Sequence, residues 1–349
     1  MTDPQFINRK ADHIRIALLP ESRSASGNGL DRVRLEHDSL PDLDLDSIDL
    51  RTRAFGVGMA TPFFIAGMTA GHPGADGVNE RLARHAAKRG WVFGVGSQRR
   101  EIDSGFRDSG VQVLRERHPG LVLVSNLGIA QLIEVARERR WESLKEMLAR
   151  SGACALAIHL NPLQECVQVE GTPRFRGSWS ALAELCGQID LPVILKETGS
   201  GMSRGFLEKA RTLPIRVLDV SGLGGTHWGR VEGLRSVEGS PERGLGETFG
   251  DWGISTAESI LNAVEVFSGN GPAIWASGGI RSGLDAAKCL ALGADRVGFA
   301  GAALRVALEG DEALAAWMTQ VERELRIAMF CTRSAGVEEL RAGKKWSQV

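Results

Sequence analysis

Residues 159–165 read HLNPLQE and bring together side chains that suit a polar ligand with a divalent cation. The stretch holds an imidazole, two amides and a carboxylate, from His159, Asn161, Gln164 and Glu165. These are neutral hydrogen-bonding groups with one hard anionic oxygen donor, a set that does not favour a hydrolytic nucleophile. The preceding residues, 154–158, form a short apolar run that is typical of a buried parallel strand. The pattern therefore predicts a ligand-binding cluster at the end of a strand.

Charge and composition exclude several classes of protein. The chain has 349 residues, of which 43% are apolar and 24% charged, enough for one large core or two small ones. The net charge of −1 argues against a general nucleic-acid binder, so any phosphate binding must be local. The five cysteines are scattered without a C-x-x-C spacing, which indicates reduced thiols. The polar N-terminus and the lack of a membrane-length apolar run predict a cytoplasmic protein with no signal peptide and no membrane contact.

Apolar runs alternate with amphipathic stretches from residue 62 onward. The predicted strands are 62–67, 91–95, 121–125, 154–159, 192–196, 215–220, 273–277 and 295–300. The predicted helices are 75–89, a shorter one near 108–117, 129–149, 178–188, 203–213, 256–267 and 283–292.

Eight strands alternating with helices have the size and rhythm of an α/β protein with a (β/α)8 TIM barrel. An open doubly wound sheet is the second possibility, but no GxGxxG opens a helix after the first strand. We expect a single domain over residues 1–349, with an N-terminal cap segment (1–50), the barrel (51–309) and a C-terminal helical extension (310–349).

Polar residues or glycines follow every predicted strand, at the end where a TIM barrel builds its active site. In strand order they are Met68 to Gly71, Gly96 to Arg99, Ser125 to Gly128, the HLNPLQE cluster, Lys196 and Glu197, Ser221 with GLGGTHW, Ser277 to Arg281, and Ala300 with Gly301. One polar residue after a strand is commonly a turn or a helix cap. Eight such ends in register predict one convergent site.

Several motifs in this chain resemble those of the type 2 isopentenyl-diphosphate isomerases, which are FMN-dependent barrel enzymes. They are RKADHI, LEHDSLP, GMTAG, VGSQR, SNLG, HLNPLQE, LKETGSGMS, DVSGLGGTHWGRVE, FGDWGIST and ASGGIRSGLDAAKCLALGADRVGFA. The resemblance covers about residues 7–305, and HLNPLQE and the long strand-six motif are its specific parts. The family usually has MTGG where this chain has MTAG, so the methyl group of Ala70 could crowd the flavin. Thr69 is retained, and we expect FMN to bind.

The resemblance implies two groups of flavin ligands. Met68, Thr69, Ala70, Ser97 and Asn126 are expected to bind the flavin ring. The phosphate is expected at Ser221, Thr226, Gly278, Gly279, Arg281, Ala300 and Gly301, because barrels commonly hold phosphate after strands seven and eight. One glycine pair alone would indicate a tight turn, but the two loops together favour a phosphate site.

Lys196 ends a predicted buried strand and has three interpretations. The resemblance implies a cation beside the flavin that stabilises a reduced, anionic ring. A Schiff-base lysine of an aldolase and an ordinary ion pair with Glu197 or a neighbour are the alternatives.

The diphosphate of the implied substrate needs cations and hydrogen-bond donors. The expected ligands are Arg9, Lys10, Ser97, Gln98, Arg99, His159, Asn161 and Gln164. Glu165 suits Mg²⁺, which commonly binds one or two carboxylates together with ligand phosphates and waters. Taken alone, Glu165 would be a helix N-terminal acid, His159 a satisfied core histidine, and the pair Arg9 and Lys10 a solvated face.

The implied reaction interconverts isopentenyl and dimethylallyl diphosphate by adding one proton and removing another. An electron-rich reduced flavin could stabilise the carbocation-like state or donate the proton. Gln164, with His159 and Lys196, is the candidate catalytic set, and NADPH would serve only to reduce the flavin. The resemblance also suggests a homotetramer or homo-octamer.

Two other functions stay open from sequence. One is an FMN-dependent oxidase or dehydrogenase of 2-hydroxy acids, in which His227 and Arg230 would act as base and carboxylate ligand. The other is a non-catalytic flavin or phosphate-ligand binder. We also predict that residues 229–250, rich in glycine and charge, form a long mobile loop. A lid that orders over the bound diphosphate is the functional hypothesis, and a passive surface loop is the alternative.

Overall fold

A computed structural model describes residues 12–68, 73–103, 110–269 and 271–348. Eight parallel strands close into a barrel in chain order, which confirms the predicted (β/α)8 fold. We number them β1 (Phe63–Ile65), β2 (Val92–Gly94), β3 (Leu123–Gly128), β4 (Ala155–Leu160), β5 (Val193–Glu197), β6 (Val217–Asp219), β7 (Ala273–Ala276) and β8 (Arg296–Phe299). The barrel closes where Val297 of β8 pairs with Phe63 of β1.

Helices surround the barrel and extend it at the C-terminal side. Those between strands are Pro73–Arg89, Arg99–Asp103, Gly110–Arg117, Ile129–Glu138, Trp141–Ser151, Pro162–Val167, Ser178–Gln188, Arg204–Ala210, Trp228–Arg235, Pro241–Thr248, Thr256–Val266 and Gly283–Ala291. After β8 come Gly301–Glu309, Asp311–Cys331 and Val337–Ala342. Short 3₁₀ turns occupy Pro20–Ser22, Leu30–Arg32 and Leu45–Ser47. Along the described residues, no helix is both long and apolar enough to cross a bilayer.

The single helix predicted over residues 129–149 is wrong, because the structure breaks it into two. Arg139 adopts a left-handed conformation (φ 55°), and its backbone N–H caps the first helix by donating to Ala136 O. A second helix starts at Trp141. Leu132 and Val135 of the first helix and Trp141 and Leu144 of the second are all buried in the same core, so the break keeps both halves packed.

The long loop predicted over residues 229–250 is also wrong, because most of this segment is helical. Trp228–Arg235 and Pro241–Thr248 pack against each other, and a Cβ atom on Gly233 would lie only 2.8 Å from the Cα atom of Gly246. Ser240 caps the second helix by accepting a hydrogen bond from Arg243 N. The glycines that suggested a loop thus permit a close helix–helix contact. The lid hypothesis for this segment stays a prediction.

Two apolar cores meet at the barrel wall. Phe64, Val92, Val124, Ile194 and Trp275 belong to a cluster that fills the barrel interior. A larger cluster lies between the outer faces of the strands and the helices. An antiparallel hairpin of Thr52–Ala54 and Val57–Met59 packs on the inner cluster through Ala54 and Met59. Its Thr52 contacts Arg296 at the start of β8, so the hairpin covers the N-terminal end of the barrel and leaves the C-terminal end for a site.

The segment before the barrel crosses the opposite, C-terminal end. Residues 12–17 are helical, and the chain then runs along the loop after β6. His227 N donates to Ser22 O at 2.8 Å, Ser24 N donates to Gly225 O at 3.2 Å, and the side chain of Asn28 donates to Gly279 O at 2.9 Å. Farther on, Val33–Leu35 pairs with Trp346–Gln348 in a two-stranded antiparallel sheet. Residues 12–28 are therefore fixed over the active-site end of the fold.

Candidate active site

A cavity of about 520 Å³ opens at the C-terminal ends of the barrel strands. Residues at or just after the C-terminal ends of all eight strands line it, and they include Met68, Ser97, Arg99, Asn126, His159, Asn161, Gln164, Glu165, Lys196, Ser221, Thr226, Gly278, Gly279, Arg281, Ala300 and Gly301. Each of these was predicted from sequence as a site residue. His13 and Arg23 from the N-terminal segment also line the cavity, and they were not foreseen.

The loops after β6 and β7 form a glycine cradle. Gly278 and Gly279 have φ values of 104° and 68°, which L side chains rarely adopt. A Cβ atom on Gly278 would lie 2.1 Å from Gly222 O, and one on Gly279 would lie 2.4 Å from Gly224 O. Glycine at both positions therefore lets the two loops pack closely beside the cavity, and loops at this end of a barrel commonly receive a phosphate group.

Lys196 points into the cavity from the end of β5 and is 8% exposed. Its Nζ lies 3.3 Å from Asp219 Oδ2 and donates to Glu197 O at 2.9 Å. Ser277 Oγ donates to the other oxygen of Asp219 at 2.7 Å. The carboxylate partner of Lys196 is therefore Asp219 rather than the adjacent Glu197. Sequence reasoning missed Asp219, although a carboxylate inside a predicted buried strand signals a paired charge.

Glu197 instead stabilises the turn that follows β5. Its Oε2 accepts hydrogen bonds from the backbone N–H groups of Thr198, Gly199 and Ser200 at 2.5–2.7 Å. Burial raises the pKa of Glu197 to about 7, although these amides and the charge of Lys196 act in the opposite direction. The carboxylate thus holds the loop that carries Thr198 and Gly199 against the cavity.

His159 is oriented by Asn126 on the neighbouring strand. Asn126 Nδ2 donates to Val95 O at 3.0 Å, which leaves its Oδ1 facing His159 Nδ1 at 2.9 Å. This pattern places a proton on Nδ1 and fixes the ring plane. Gln98 acts one step further back, because its Oε1 accepts from Asn126 N at 3.2 Å and its Nε2 donates to Glu101 at 3.0 Å. Gln98 is 1% exposed and is not part of the cavity lining, so its role as a substrate ligand stays a prediction.

Gln164 belongs to a buried network around Glu232. Its Nε2 donates to Glu232 Oε1 at 2.7 Å, and its Oε1 accepts from Asn161 Nδ2 at 3.2 Å. His13 Nε2 lies 3.0 Å from Glu232 Oε1, and Arg235 Nε donates to Glu232 Oε2 at 2.9 Å. Burial acts to raise the pKa of Glu232, but the bonds to His13 and Gln164 and the charge of Arg235 more than offset it. The net pKa lies below its ordinary value, so Glu232 is an ionised carboxylate at neutral pH.

Neither Glu232 nor His13 was singled out in the sequence. Glu232 lies in the middle of the helix Trp228–Arg235, where a glutamate is commonly a surface residue. His13 is set against the edge of the Trp228 ring, with ring centroids 5.2 Å apart. RKADHI and the strand-six motif both carry family resemblance, and that was the available signal for these two residues.

Glu165 has two bonds that hold the loop after β4. Its Oε1 accepts from Asn161 Nδ2 at 2.9 Å, and its Oε2 accepts from Thr172 N at 2.6 Å. Within the described parts of the chain, no cluster of three histidine, cysteine or acidic side chains could hold a metal ion alone. A Mg²⁺ ion at Glu165 would therefore need oxygen ligands from a bound phosphate and from water.

Four proposed ligands lie outside the described residues: Arg9, Lys10, Thr69 and Ala70.

His227 and Arg230 are described, but neither lines the cavity. His227 is 1% exposed, its Nε2 lies 3.2 Å from Trp252 O, and Arg230 bonds to Gly250 O and Asp251. This pair closes a loop and is not placed to act as the base and carboxylate ligand of a 2-hydroxy acid oxidase.

The fold and the site define the class of protein. The family model for FMN-dependent dehydrogenases matches residues 107–346, so the chain belongs to that family. A mandelate oxidase variant superposes with a TM-score of 0.63 at 19% identity, over 96% of this chain and 92% of that one. A flavocytochrome b2 variant gives 0.67 at 15% identity, over 96% and 78% of the two chains. Likeness at this identity shows a shared barrel and no more.

Closer relatives narrow the family. The isopentenyl-diphosphate delta-isomerase of Bdellovibrio bacteriovorus is 44% identical over 348 residues, which cover 98% of each chain. The enzyme of Legionella pneumophila strain Lens is 43% identical over 97% of each chain. That of a Synechococcus strain is also 43% identical, over 95% of this chain and 94% of the relative. The chain therefore belongs to the FMN-dependent isopentenyl-diphosphate delta-isomerases, and the resemblance noted in its motifs is confirmed.

Proposed function

We propose that this protein interconverts isopentenyl diphosphate and dimethylallyl diphosphate with the help of reduced FMN and Mg²⁺. One observation carries the proposal: the HLNPLQE side chains, the buried cation Lys196 and the glycine cradle all face one cavity. The first set suits a polar substrate, the second an electron-rich ring, and the third a phosphate. A 2-hydroxy acid oxidase would have no use for the amides of Asn161 and Gln164.

We infer that residues lining the cavity would hold the cofactor. The ring would be bound by Ser97, Asn126, Lys196 and Met68, which line the cavity, and Thr69 and Ala70 follow Met68 in the sequence. The phosphate would be bound by Ser221, Thr226, Gly278, Gly279, Arg281, Ala300 and Gly301, which also line it. When bound and reduced, FMN supplies an electron-rich ring that can stabilise developing positive charge. The ammonium group of Lys196, fixed by Asp219, favours the reduced anionic form.

The substrate diphosphate would lie near the loops after β2 and β4. Arg99 and His159 line this part of the cavity, with Asn161 at the start of the helix Pro162–Val167. Arg9, Lys10 and Ser97 are further candidate ligands. Glu165 would supply a carboxylate ligand to Mg²⁺, whose charge would offset that of the diphosphate, and Mg²⁺ commonly uses few protein carboxylates.

We infer that Gln164 and Glu232 together control a proton. An amide is a weak acid and a weak base, so Gln164 alone cannot move a proton efficiently at neutral pH. Its N–H is committed to the Glu232 carboxylate, and its Oε1 to Asn161, so the amide has one orientation. We propose that Gln164 positions the substrate carbon from which the second proton leaves, with Glu232 and His13 as the titratable pair behind it.

The decisive experiment is an anaerobic assay of isopentenyl diphosphate with Mg²⁺, FMN and NADPH. We expect dimethylallyl diphosphate to form only when the flavin is reduced, with no net consumption of NADPH beyond that reduction. Replacing Gln164 by Leu should abolish turnover while the flavin still binds. If lactate or glycolate bleached the bound flavin in the absence of isomerisation, the oxidase function would replace this proposal. A fully FMN-loaded protein without either activity would indicate a binding protein.

A further inference from the structure

Three arginines line the same side of the cavity: Arg23, Arg281 and Arg305. Arg281 Nη2 donates to Gly224 O at 3.0 Å, and Arg305 Nη2 donates to Leu18 O at 2.9 Å. Both acceptors are neutral carbonyl oxygens. In the described ranges of the chain, no carboxylate lies within 4.0 Å of any of the three guanidinium groups. The other arginines of the mouth are separate, because Arg99 follows β2, three strands around the barrel from β7.

The three charges act on one another. Burial, followed by the positive charges of Arg281 and Arg305, lowers the pKa of Arg23. Like charges held together at a partly buried site are destabilising unless an anion neutralises them. An arrangement of this kind, with each guanidinium group at a cavity wall, is therefore suited to an anionic ligand with several oxygen acceptors.

The fold fixes Arg23 next to the glycine cradle. Arg23 pairs with Thr226 in an isolated antiparallel bridge, and the side chain of Asn28 bonds to Gly279 O. Thr226 Oγ1 lies 3.6 Å from the position that a Cβ atom on Gly301 would take. The backbone partner of Arg23 therefore also borders the loop after β8. The segment before the barrel is thus the outer wall of the pocket whose inner wall is the three glycine loops.

We propose that Arg23 and Arg305, together with Arg281, bind the phosphate monoester of the flavin cofactor, so that the N-terminal segment forms part of the cofactor site. The inference rests on the proposed function in that FMN is the ligand. Guanidinium groups bind phosphate oxygens with planar, charge-assisted hydrogen bonds, and each of the two positions adds donors that the glycine loops lack. Arg99, on the loop after β2, stays assigned to the substrate diphosphate.

The test compares FMN with riboflavin, which is the same ring without the phosphate. Apoprotein would be titrated with each flavin, and dissociation constants read from the quenching of flavin fluorescence. We expect Arg23→Gln and Arg305→Gln each to raise the Kd of FMN roughly tenfold, as expected for the loss of one charge-assisted bond, and to leave the Kd of riboflavin unchanged. The salt dependence of the FMN Kd should also fall in both variants, because fewer charges meet the phosphate.

Arg53→Gln is the matched control. Arg53 Nη2, like Arg305 Nη2, donates to a backbone carbonyl, that of Gly56, but at the opposite end of the barrel. This variant should change the Kd of neither FMN nor riboflavin. Equal weakening of FMN and riboflavin in the Arg23 and Arg305 variants, or no change in either, would overturn the inference. If Arg23→Gln failed to fold, the inference would be tested by Arg305→Gln, through its FMN and riboflavin Kd values and the salt dependence of its FMN binding compared with that of the wild type.

Different results would contradict the proposed function and the role of the arginines. If the wild type bound neither FMN nor riboflavin, the proposed function itself would be wrong. If the wild type bound FMN and isomerised its substrate while both variants kept the same preference for FMN over riboflavin, only the role of these arginines would be wrong.

Discussion

The side-chain amide of Gln164 donates a 2.7 Å hydrogen bond to Glu232, a carboxylate that is 0% exposed. The two residues are 68 positions apart, and they meet because the helices Pro162–Val167 and Trp228–Arg235 pack side by side. Glu232 is also bonded to Arg235 and paired with His13, so one buried charge joins the loops after β4 and β6 to the N-terminal segment. The geometry of Gln164 therefore depends on Glu232 and Arg235, which do not line the cavity, and on His13, which does.

Replacing Glu232 by Gln should lower turnover strongly and flavin binding little. The substitution keeps the shape but removes the charge that Arg235 and His13 compensate, and we expect a loss of about 3 kcal/mol in the free energy of unfolding. Displacement of Gln164 by even 1 Å would lower kcat roughly 100-fold. Steady-state kinetics with urea unfolding would check both values. Glu170→Gln is the matched control, because Glu170 bonds to the same Arg235 but from an exposed position, and we expect little change there.

The same pair predicts a pH dependence of stability. The pKa of Glu232 is lower in the folded protein than its ordinary value of 4.5, so the folded state favours the ionised carboxylate. Its stabilising contribution is then fully present above about pH 4.5 and is lost as the pH falls through the folded pKa. The difference in Tm between wild type and Glu232→Gln should shrink as the pH falls below about 4.5. A difference that grew on acidification would contradict this assignment.

Lys196 and Asp219 should shift the reduction potential of bound flavin in opposite directions. Lys196→Gln removes a cation that favours the reduced anionic ring, so the midpoint potential should fall. Asp219→Asn removes the charge that compensates Lys196, so the potential should rise. Each change should be on the order of 30 mV or more. Anaerobic dye-equilibration titrations would measure it. Ser277→Ala removes the hydroxyl that bonds to Asp219 without changing any charge, and it should leave the potential close to that of the wild type.

Replacing Gly279 by Ala should weaken FMN binding by forcing apart the two loops of the glycine cradle. The added methyl group would strain a backbone at φ 68° by about 1–2 kcal/mol and would also lie 2.4 Å from Gly224 O. We expect the Kd of FMN to rise by more than tenfold, measured by fluorescence titration. Gly239→Ala has similar strain (φ 79°) with nothing within 4 Å of the added atom. Gly239→Ala should lower the free energy of unfolding but leave the Kd of FMN unchanged. Equal effects of the two variants on FMN binding would argue against a cradle.

Local sequence patterns determined the architecture and most of the site. Short apolar runs alternate with amphipathic stretches, and polar residues follow each run, so the eight strands and their active ends could be located without any long-range information. The residues after β3, β4, β5 and β7 were found in this way, because a parallel barrel brings the carboxyl ends of all its strands to one edge. Motif resemblance then supplied the family, and with it the expected cofactor and reaction.

Only the tertiary structure decided which polar and charged groups meet at that edge. Asp219 meets Lys196, Glu232 meets Gln164 and His13, and Arg23 lies beside Arg281, and in each case the partners are far apart in the chain. Periodicity reports which face of an element is buried, but it does not report what a polar group on that face will meet. The glycines of residues 229–250 show the same limit, because a glycine indicates equally a flexible turn or a close helix contact, and only the packed neighbour decides between them.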